Sequence, residues 1–282
     1  MRLWYKSILV KNFPGRHSVK KHSSFLDYEK AMGGYESNEH YISQDKFFKK
    51  YLTRTRKFWD NFLTKSILIG ERVLSIGSGR CINEMLLIKK KYNLVCSDLE
   101  IPDCYVAAKK ILGDFEYRKL NILLNPSDEK FDCIVSLSMM YAFSNSELEI
   151  FFDNIFKSLK PNGKFILDGG GSEDNFFSLI YDKYFLDLEV ELAYLISKII
   201  KKNYGLLKRH HGYKYKNKEI LEIAKKKGFQ TLHFESGDHY TEIERSKIIN
   251  LIIRLLPFTK KIFYLLGCKM PYVRMFQFKR ER

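Results

Sequence analysis

Acidic residues are in short supply in this 282-residue sequence. Only 33 Asp and Glu stand against 49 Lys and Arg, a formal charge of +16. A surplus of that size points to an anionic partner: nucleic acid, an anionic membrane surface or an anionic substrate. Part of it has a blander source, since Lys, Ile, Asn, Phe and Tyr are all abundant, as an AT-rich genome would give. Long apolar runs are missing too. No stretch approaches the ~18 apolar residues of a membrane-spanning helix. The nearest, Ile248 to Leu256, is interrupted by Asn250 and Arg254. In the opening segment, MRLWYKSILVKNFPGRH, the only apolar run is Ser7 to Val10 at most. That is too short for the core of a secretory signal.

Cysteine is also scarce. The five residues at 81, 96, 104, 133 and 268 are odd in number and form no CxxC. Such spacing suits neither a disulfide framework nor a structural zinc site. It fits a reducing compartment, so the cytoplasm is the expected location. No carboxylates are spaced for a metal site, and no metal is expected. Internal repeats and low-complexity tracts are absent.

Three zones remain. Residues 1–66 are polar and aromatic, and they end in QDKFFKKYLTRTRKFWDNFL (44–63), whose apolar positions recur at helical spacing. This zone is expected to form a helical N-terminal cap. Residues 67–282 form the main domain, with its core at 67–170. There RVLSI (72–76), YNLVCSD (92–98), FEYRKLNI (115–122), FDCIVSLS (131–138) and KFILDGG (164–170) read as strands. INEMLLIKKK (82–91), CYVAAKKIL (104–112) and SELEIFFDNIFKSLK (146–160) read as helices, the last ended by Pro161-Asn162-Gly163. Strands alternating with helices imply an α/β fold with a parallel sheet. FDCIVSLS is apolar enough to be buried on both faces. Beyond it lie an insertion at about 171–215, a helix over 216–229, a strand over 229–236, a helical insertion at about 240–268 and a last strand over 272–280.

The chemistry concentrates where the first core strand runs into Ser75-Ile76-Gly77-Ser78-Gly79-Arg80-Cys81 and then a helix. Ligands of open parallel sheets bind at the carboxyl ends of the strands, and glycine lets a ligand approach the backbone there. Asp98 ends the second strand, 21 positions after Gly77. A carboxylate so placed suits both hydroxyls of a ribose. A dinucleotide loop would need a third glycine at position 82, which is Ile, so a pyrophosphate fits poorly.

This ordered set resembles the class I S-adenosylmethionine-dependent methyltransferases. RVLSIGSGRC is similar to their first motif, VCSD to the second, KLNI (119–122) to the segment after the third strand, FDCIVSLSMMYAF (131–143) to the fourth strand and its loop, and SLKPNGKFIL (158–167) to the turn into the fifth. The resemblance implies a Rossmann-like sheet, mostly parallel with an antiparallel last strand, and S-adenosylmethionine as cofactor. It implies a cofactor site of Ser75, Gly77, Ser78, Gly79, Asp98, Leu99, Asn121, Ile122 and Ser136, with Asp98 on the ribose and Asn121 at the adenine amino group. Two positions depart from the family. Its first-motif acid, which helps hold the methionine moiety, is Ser75 here, and its third glycine is Cys81.

The acceptor pocket is expected over the ends of the fourth and fifth strands, near Tyr141, Asp168, Glu173 and Asp174. The insertion adds Lys208-Arg209-His210-His211-Gly212-Tyr213, a basic aromatic loop whose histidines could supply a base. Tyr141, His210 and His211 are the catalytic candidates. His239 follows the sixth strand, and His40 and Tyr41 sit where an N-terminal cap could close over the cofactor. A helical cap and an insertion after the fifth strand are common in relatives that methylate small molecules or glycans. O-methylation of a sugar or surface-glycan precursor is the leading expectation. One alternative is nucleic-acid methylation, although Ser138-Met139-Met140-Tyr141 lacks the Asn/Asp-Pro-Pro-aromatic loop of enzymes that methylate base amines. The other is a membrane-surface cofactor-binding protein without turnover, for which IINLIIRLLPFTKKIFYLLGCK (248–269) could lie at an anionic interface on the inner face of the membrane.

The charge is divided unevenly. Residues 1–66 hold 14 Lys+Arg and 6 Asp+Glu, residues 67–170 hold 13 and 14, and residues 171–282 hold 22 and 13. The core is near neutral, so the surplus sits where acceptor recognition belongs. This favours an anionic acceptor or surface.

Overall fold

In the computed structural model the described residues are 1–12, 15–18, 54–79, 81–102, 105–169, 173–237, 247–269 and 273–281. The chain opens with two strands, β1 (Arg2–Lys11) and β2 (Gly15–Ser18), and helix α1 (Arg54–Ser66) follows. The core then runs β3 (Val73–Ile76), α2 (Met85–Lys89), β4 (Leu94–Asp98), α3 (Tyr105–Leu112), β5 (Glu116–Lys119), β6 (Phe131–Ser136), α4 (Asn145–Ser158) and β7 (Leu159–Asp168). After it come α5 (Phe176–Ile180), a π-helical turn (Tyr181–Leu186), α6 (Asp187–Ile199), β8 (Tyr204–Lys214), α7 (Asn217–Lys226), β9 (Phe229–Gly237), α8 (Lys247–Leu255), α9 (Thr259–Cys268) and β10 (Val273–Arg280).

Seven strands form the main sheet in the order β5-β4-β3-β6-β7-β10-β9. The pairings among β3 to β7 are parallel. β10 runs antiparallel to both its neighbours, so the last strand is the reversed one, as expected. β3 and β6 read VLSI and FDCIVS and are buried on both faces, the mark of a central parallel strand. Alternate residues feed two cores. Leu74, Ile134, Phe165, Phe276 and Phe278 pack under Phe151, Phe152 and Ile155 of α4 and Ile220 of α7. Val73, Cys96, Val135, Ile166 and Met275 pack under Phe62 and Leu63 of α1, Met85 of α2 and Ala108 of α3. A Ser144–Glu147 capping box starts α4, with the Ser144 N–H donating to Glu147 Oε2 at 2.9 Å.

Two corrections concern local structure in this core. α4 ends at Ser158, before Pro161-Asn162-Gly163. That tripeptide lies inside β7, where the partners jump from Phe131↔Leu159 to Cys133↔Lys164. The intervening residues bulge, and Asn162 takes φ +61°.

A second sheet has the order β1-β8-β2, with β1 antiparallel and β2 parallel to β8. This corrects two expectations. The described start of the chain is extended rather than helical, and of the expected 44–63 helix only the part from Arg54 is described, running on to Ser66. Lys208 to Tyr213 is a strand rather than a loop. Neither pairing is visible locally, because β1 meets its partner some 200 residues along the chain.

Candidate active site

The glycine loop follows β3 at the carboxyl end of the sheet. Gly77 and Gly79 take φ +70° and +47°, the left-handed region that glycine enters without a Cβ clash. Cys81 takes φ +58°, so the backbone keeps the turn of a glycine at that position while carrying a side chain. Hydrogen bonds fix the loop. The Gly79 N–H donates to Asp98 Oδ2 at 2.8 Å, and the Leu99 N–H donates to Asp98 Oδ1 at 2.7 Å. The Ser97 hydroxyl donates to the Ser75 carbonyl at 2.8 Å, the Ser78 hydroxyl donates to it at 3.2 Å, and the Tyr117 hydroxyl donates to the Gly79 carbonyl at 3.0 Å. Burial, with the Asp98 charge next, pushes the Tyr117 phenol well above its ordinary value, so it stays a donor.

Sequence reasoning missed Glu84. The residue is 2% exposed, and the Ser75 hydroxyl donates to its Oε1 at 2.8 Å. A carboxylate therefore reaches the Ser75 hydroxyl from nine residues downstream, across the loop. The only sequence signal was an acid close after a serine-substituted motif.

A narrow crevice of about 10 Å³ lies beside the loop, and Gly77, Asp98, Leu99, Asn121 and Ile122 line it together. Five of the nine expected cofactor residues thus meet there. Ser136, at the end of β6, is buried with no hydrogen-bond partner for its hydroxyl. Asn121 lies in the turn after β5, where its Oδ1 accepts from the Leu123 N–H at 3.1 Å. Met139, a second residue that sequence reasoning passed over, forms part of the same wall. Its sulfur lies 1.5 Å from where a Cβ on Gly77 would sit.

The loop after β6 leads directly to the second sheet. In β1–β8 the partners are Trp4↔Gly212 and Tyr5↔His210, so His211 is the extra residue of a β-bulge. Bulges redirect a side chain out of the alternating pattern. His211 stacks on Tyr141 with centroids 5.3 Å apart and meets Trp4 edge-on at 4.4 Å. His210 is fully buried and instead meets Tyr5 at 5.4 Å and Tyr213 at 5.2 Å. The two histidines therefore do not act as a pair. Gly212, at φ +124°, is the point of closest approach, since a Cβ there would fall 2.1 Å from the Tyr141 carbonyl oxygen.

Cations surround this aromatic group. Lys6 Nζ lies 4.4 Å and Lys214 Nζ 4.7 Å from the centroid of the Trp4 ring. Burial above all, then the charges of Lys6, Arg209 and neighbouring basic groups, lowers the His211 pKa from 6.5 to about 2. The imidazole is neutral, and its buried Nδ1 has no hydrogen-bond partner.

The expected acids gather near Arg274. Arg274 is fully buried and donates to the carbonyls of Tyr215 at 2.9 Å and Gly169 at 2.7 Å and to Asn217 Oδ1 at 2.8 Å. Burial lowers its pKa to about 10, against the opposing charges of Glu173, Asp168 and Asp174. Asp168 Oδ2 also accepts from the Ser138 N–H at 3.3 Å, and Asp174 pairs with Arg2 at 2.7 Å. Lys208 reaches Asp187 at 3.3 Å on the surface. His40, Tyr41 and His239 lie outside the described residues. Among the described residues, no group of three or more His, Cys, Asp or Glu is placed to hold a metal ion, and no helix is long and apolar enough to cross a membrane.

Sheet order, glycine loop and strand-end acid define a class I methyltransferase fold. Residues 74–167, from β3 to β7, match the family described as Methyltransferase domain. Over that third of its length the chain carries a methyltransferase domain, with the class I fold. Solved structures share the fold. The 1,6-didemethyltoxoflavin-N1-methyltransferase of Burkholderia thailandensis superposes with TM-score 0.55 at 9% identity, covering 94% of this chain and 93% of that one. The magnesium protoporphyrin IX methyltransferase of Synechocystis gives 0.50 at 13%, covering 93% and 90%. A glycopeptide N-methyltransferase gives 0.52 at 9%, covering 81% and 91%. Identities this low establish the fold alone. No curated protein matches the sequence significantly.

Proposed function

We propose that the protein transfers a methyl group from S-adenosylmethionine to a hydroxyl of an anionic small molecule, a sugar or surface-glycan precursor. The observation that carries this reading is the His211 bulge. A neutral imidazole whose buried Nδ1 has no hydrogen-bond partner stands among aromatic rings, beside Lys6, Arg209 and Lys214. Tyr141, stacked on that imidazole, lies two residues beyond Met139 of the crevice wall.

The residues fit the cofactor. Asp98 holds the ribose, and the crevice beside Asn121 and Ile122 takes the adenine. Ser75, Ser78 and Gly79 shape the loop, and Glu84 supplies the negative charge that Ser75 lacks. S-adenosylmethionine, when bound, supplies a methyl group whose thioether leaving group departs neutral. The chain's task is then alignment and proton removal. His211 Nδ1 accepts the hydroxyl proton as the acceptor oxygen forms its bond to carbon. An anionic acceptor matters twice: Lys6, Arg209 and Lys214 bind it, and its charge offsets theirs, which raises the basicity of His211 only when the acceptor is in place.

Two measurements test this. Calorimetric titration with S-adenosylmethionine should give binding that Asp98→Ala removes. Methyl-labelled cofactor, incubated with anionic glycan precursors and with RNA, should leave label in an O-methyl sugar after hydrolysis. Label in nucleosides, or none in any acceptor, overturns the acceptor reading.

A further inference from the structure

Helices α8 and α9 fill the connection between β9 and β10. Gly237 at the end of β9 pairs with Val273 at the start of β10, and Met275 pairs with Asp168 at the end of β7. The helical hairpin therefore rises from the same end of the sheet as the glycine loop. Its base is fastened to the body: Ile249 is buried against Tyr181 with Ile253, Phe263 and Leu266 packed beside them, and Asn175 Nδ2 donates to the Lys269 carbonyl at 3.1 Å.

The tip is different. Pro257 turns the chain between Leu255-Leu256 and Phe258, and Leu255 and Phe258 are 70% and 69% exposed. Leu251, Ile262 and Leu265 extend this apolar surface down both helices. Arg254, Lys260 and Lys261 flank the tip and are exposed. The 23 residues 247–269 contain five Lys and Arg and no Asp or Glu. Water-facing helices normally carry both signs of charge, and apolar tips are normally covered.

Charge and apolarity together choose the occupant. A nucleic acid would match the cations but leave Leu255, Leu256 and Phe258 in water. A second copy of the hairpin would bury those residues but set two acid-free basic segments against each other. An anionic bilayer satisfies both, with apolar side chains below the headgroups and cations among the phosphates. We propose that the α8–α9 hairpin docks the protein on an anionic lipid surface, with Leu255, Leu256 and Phe258 inserted and Arg254, Lys260 and Lys261 on the headgroups. This stands apart from the acceptor assignment, though it turns the active-site end of the sheet toward the membrane and suits an acceptor held there.

The test is vesicle flotation with the full chain. Phosphatidylcholine vesicles containing phosphatidylglycerol should carry the protein at low salt. Pure phosphatidylcholine vesicles should not, and high salt should release it. Replacing both lysines, Lys260→Gln and Lys261→Gln, should lower the partition constant by roughly fivefold for each. Phe258→Asp should abolish flotation. All three side chains are exposed, so thermal melting of the variants should match the parent. Equal recovery on neutral vesicles, no flotation at low salt, or variants that float like the parent would each overturn the proposal. A Phe258-dependent dimer without flotation would assign the tip to self-association instead.

Discussion

The Ser75 hydroxyl donates a hydrogen bond to the buried Glu84 carboxylate at 2.8 Å, joining the last turn of β3 to the entry of α2 across the glycine loop. Burying a carboxylate is unfavourable unless its charge is used. Here the Ser75 hydroxyl answers that charge, and the pair ties the end of β3 to the helix entry.

Glu84→Gln keeps the volume and the hydrogen-bond acceptor but removes the charge. It should weaken S-adenosylmethionine binding about tenfold, the size of a charge-assisted contact reduced to a neutral one. Thermal stability should hold or rise, because a buried charge is gone. Calorimetry and a melting curve separate the two effects. Lost stability with unchanged affinity would make Glu84 purely structural.

Cys81 holds a left-handed conformation, φ +58°, while its side chain is buried in the core. At ordinary positions alanine is more stabilising than glycine by about 0.5–1 kcal/mol. Here alanine keeps the backbone strain of about 1–2 kcal/mol that glycine relieves, and both lose the buried sulfur. Cys81→Gly should therefore be at least as stable as Cys81→Ala in urea unfolding. The ordinary order, alanine well above glycine, would show that the turn carries no strain.

His211 makes stability depend on pH. In the unfolded chain it takes its proton near 6.5, and in the folded chain only near 2, chiefly because of burial. The unfolded state thus binds more protons between these values. Stability is unaffected above about pH 7 and falls as the pH drops below about 6.5, by up to about 1.4 kcal/mol per unit from this residue. Comparing unfolding at about pH 7 and pH 5, the parent should lose about 2 kcal/mol more than His211→Gln. Identical losses would mean that His211 titrates normally.

The parts legible in the sequence are those whose signal is local. Gly77, Gly79 and Asp98 announce a strand-end site because the glycines follow one apolar strand and the acid ends the next. The helical insertion before the last strand was equally plain. The second sheet was not. Arg2–Lys11 and Tyr204–Lys214 carry basic and aromatic residues on both faces, so no simple period marks either as a strand, and only their distant pairing makes them one. The bulge at His211 follows from that pairing, which is why the His210–His211 doublet read as a pair although the structure separates it. Glu84 was obscured because its helix begins three positions later than its periodicity suggested, leaving it at the helix entry where it can turn back onto Ser75.

Met139 packs against the glycine loop at Gly77. Its sulfur stands 1.5 Å from the Cβ position that glycine leaves open at 77, so the space beside the loop belongs to whichever of Met139 or a ligand occupies it. Methionine is unbranched and turns about three side-chain bonds, which makes it a cheap side chain to displace. If displacement costs on the order of 1 kcal/mol, Met139→Ala should tighten S-adenosylmethionine binding roughly fivefold, through faster association rather than slower release. Met139→Ile, stiff at its branched carbon, should slow association instead. Stopped-flow binding with both variants distinguishes a gate from a contact. Faster release from Met139→Ala with unchanged association would show that Met139 holds the bound cofactor and does not guard its entry.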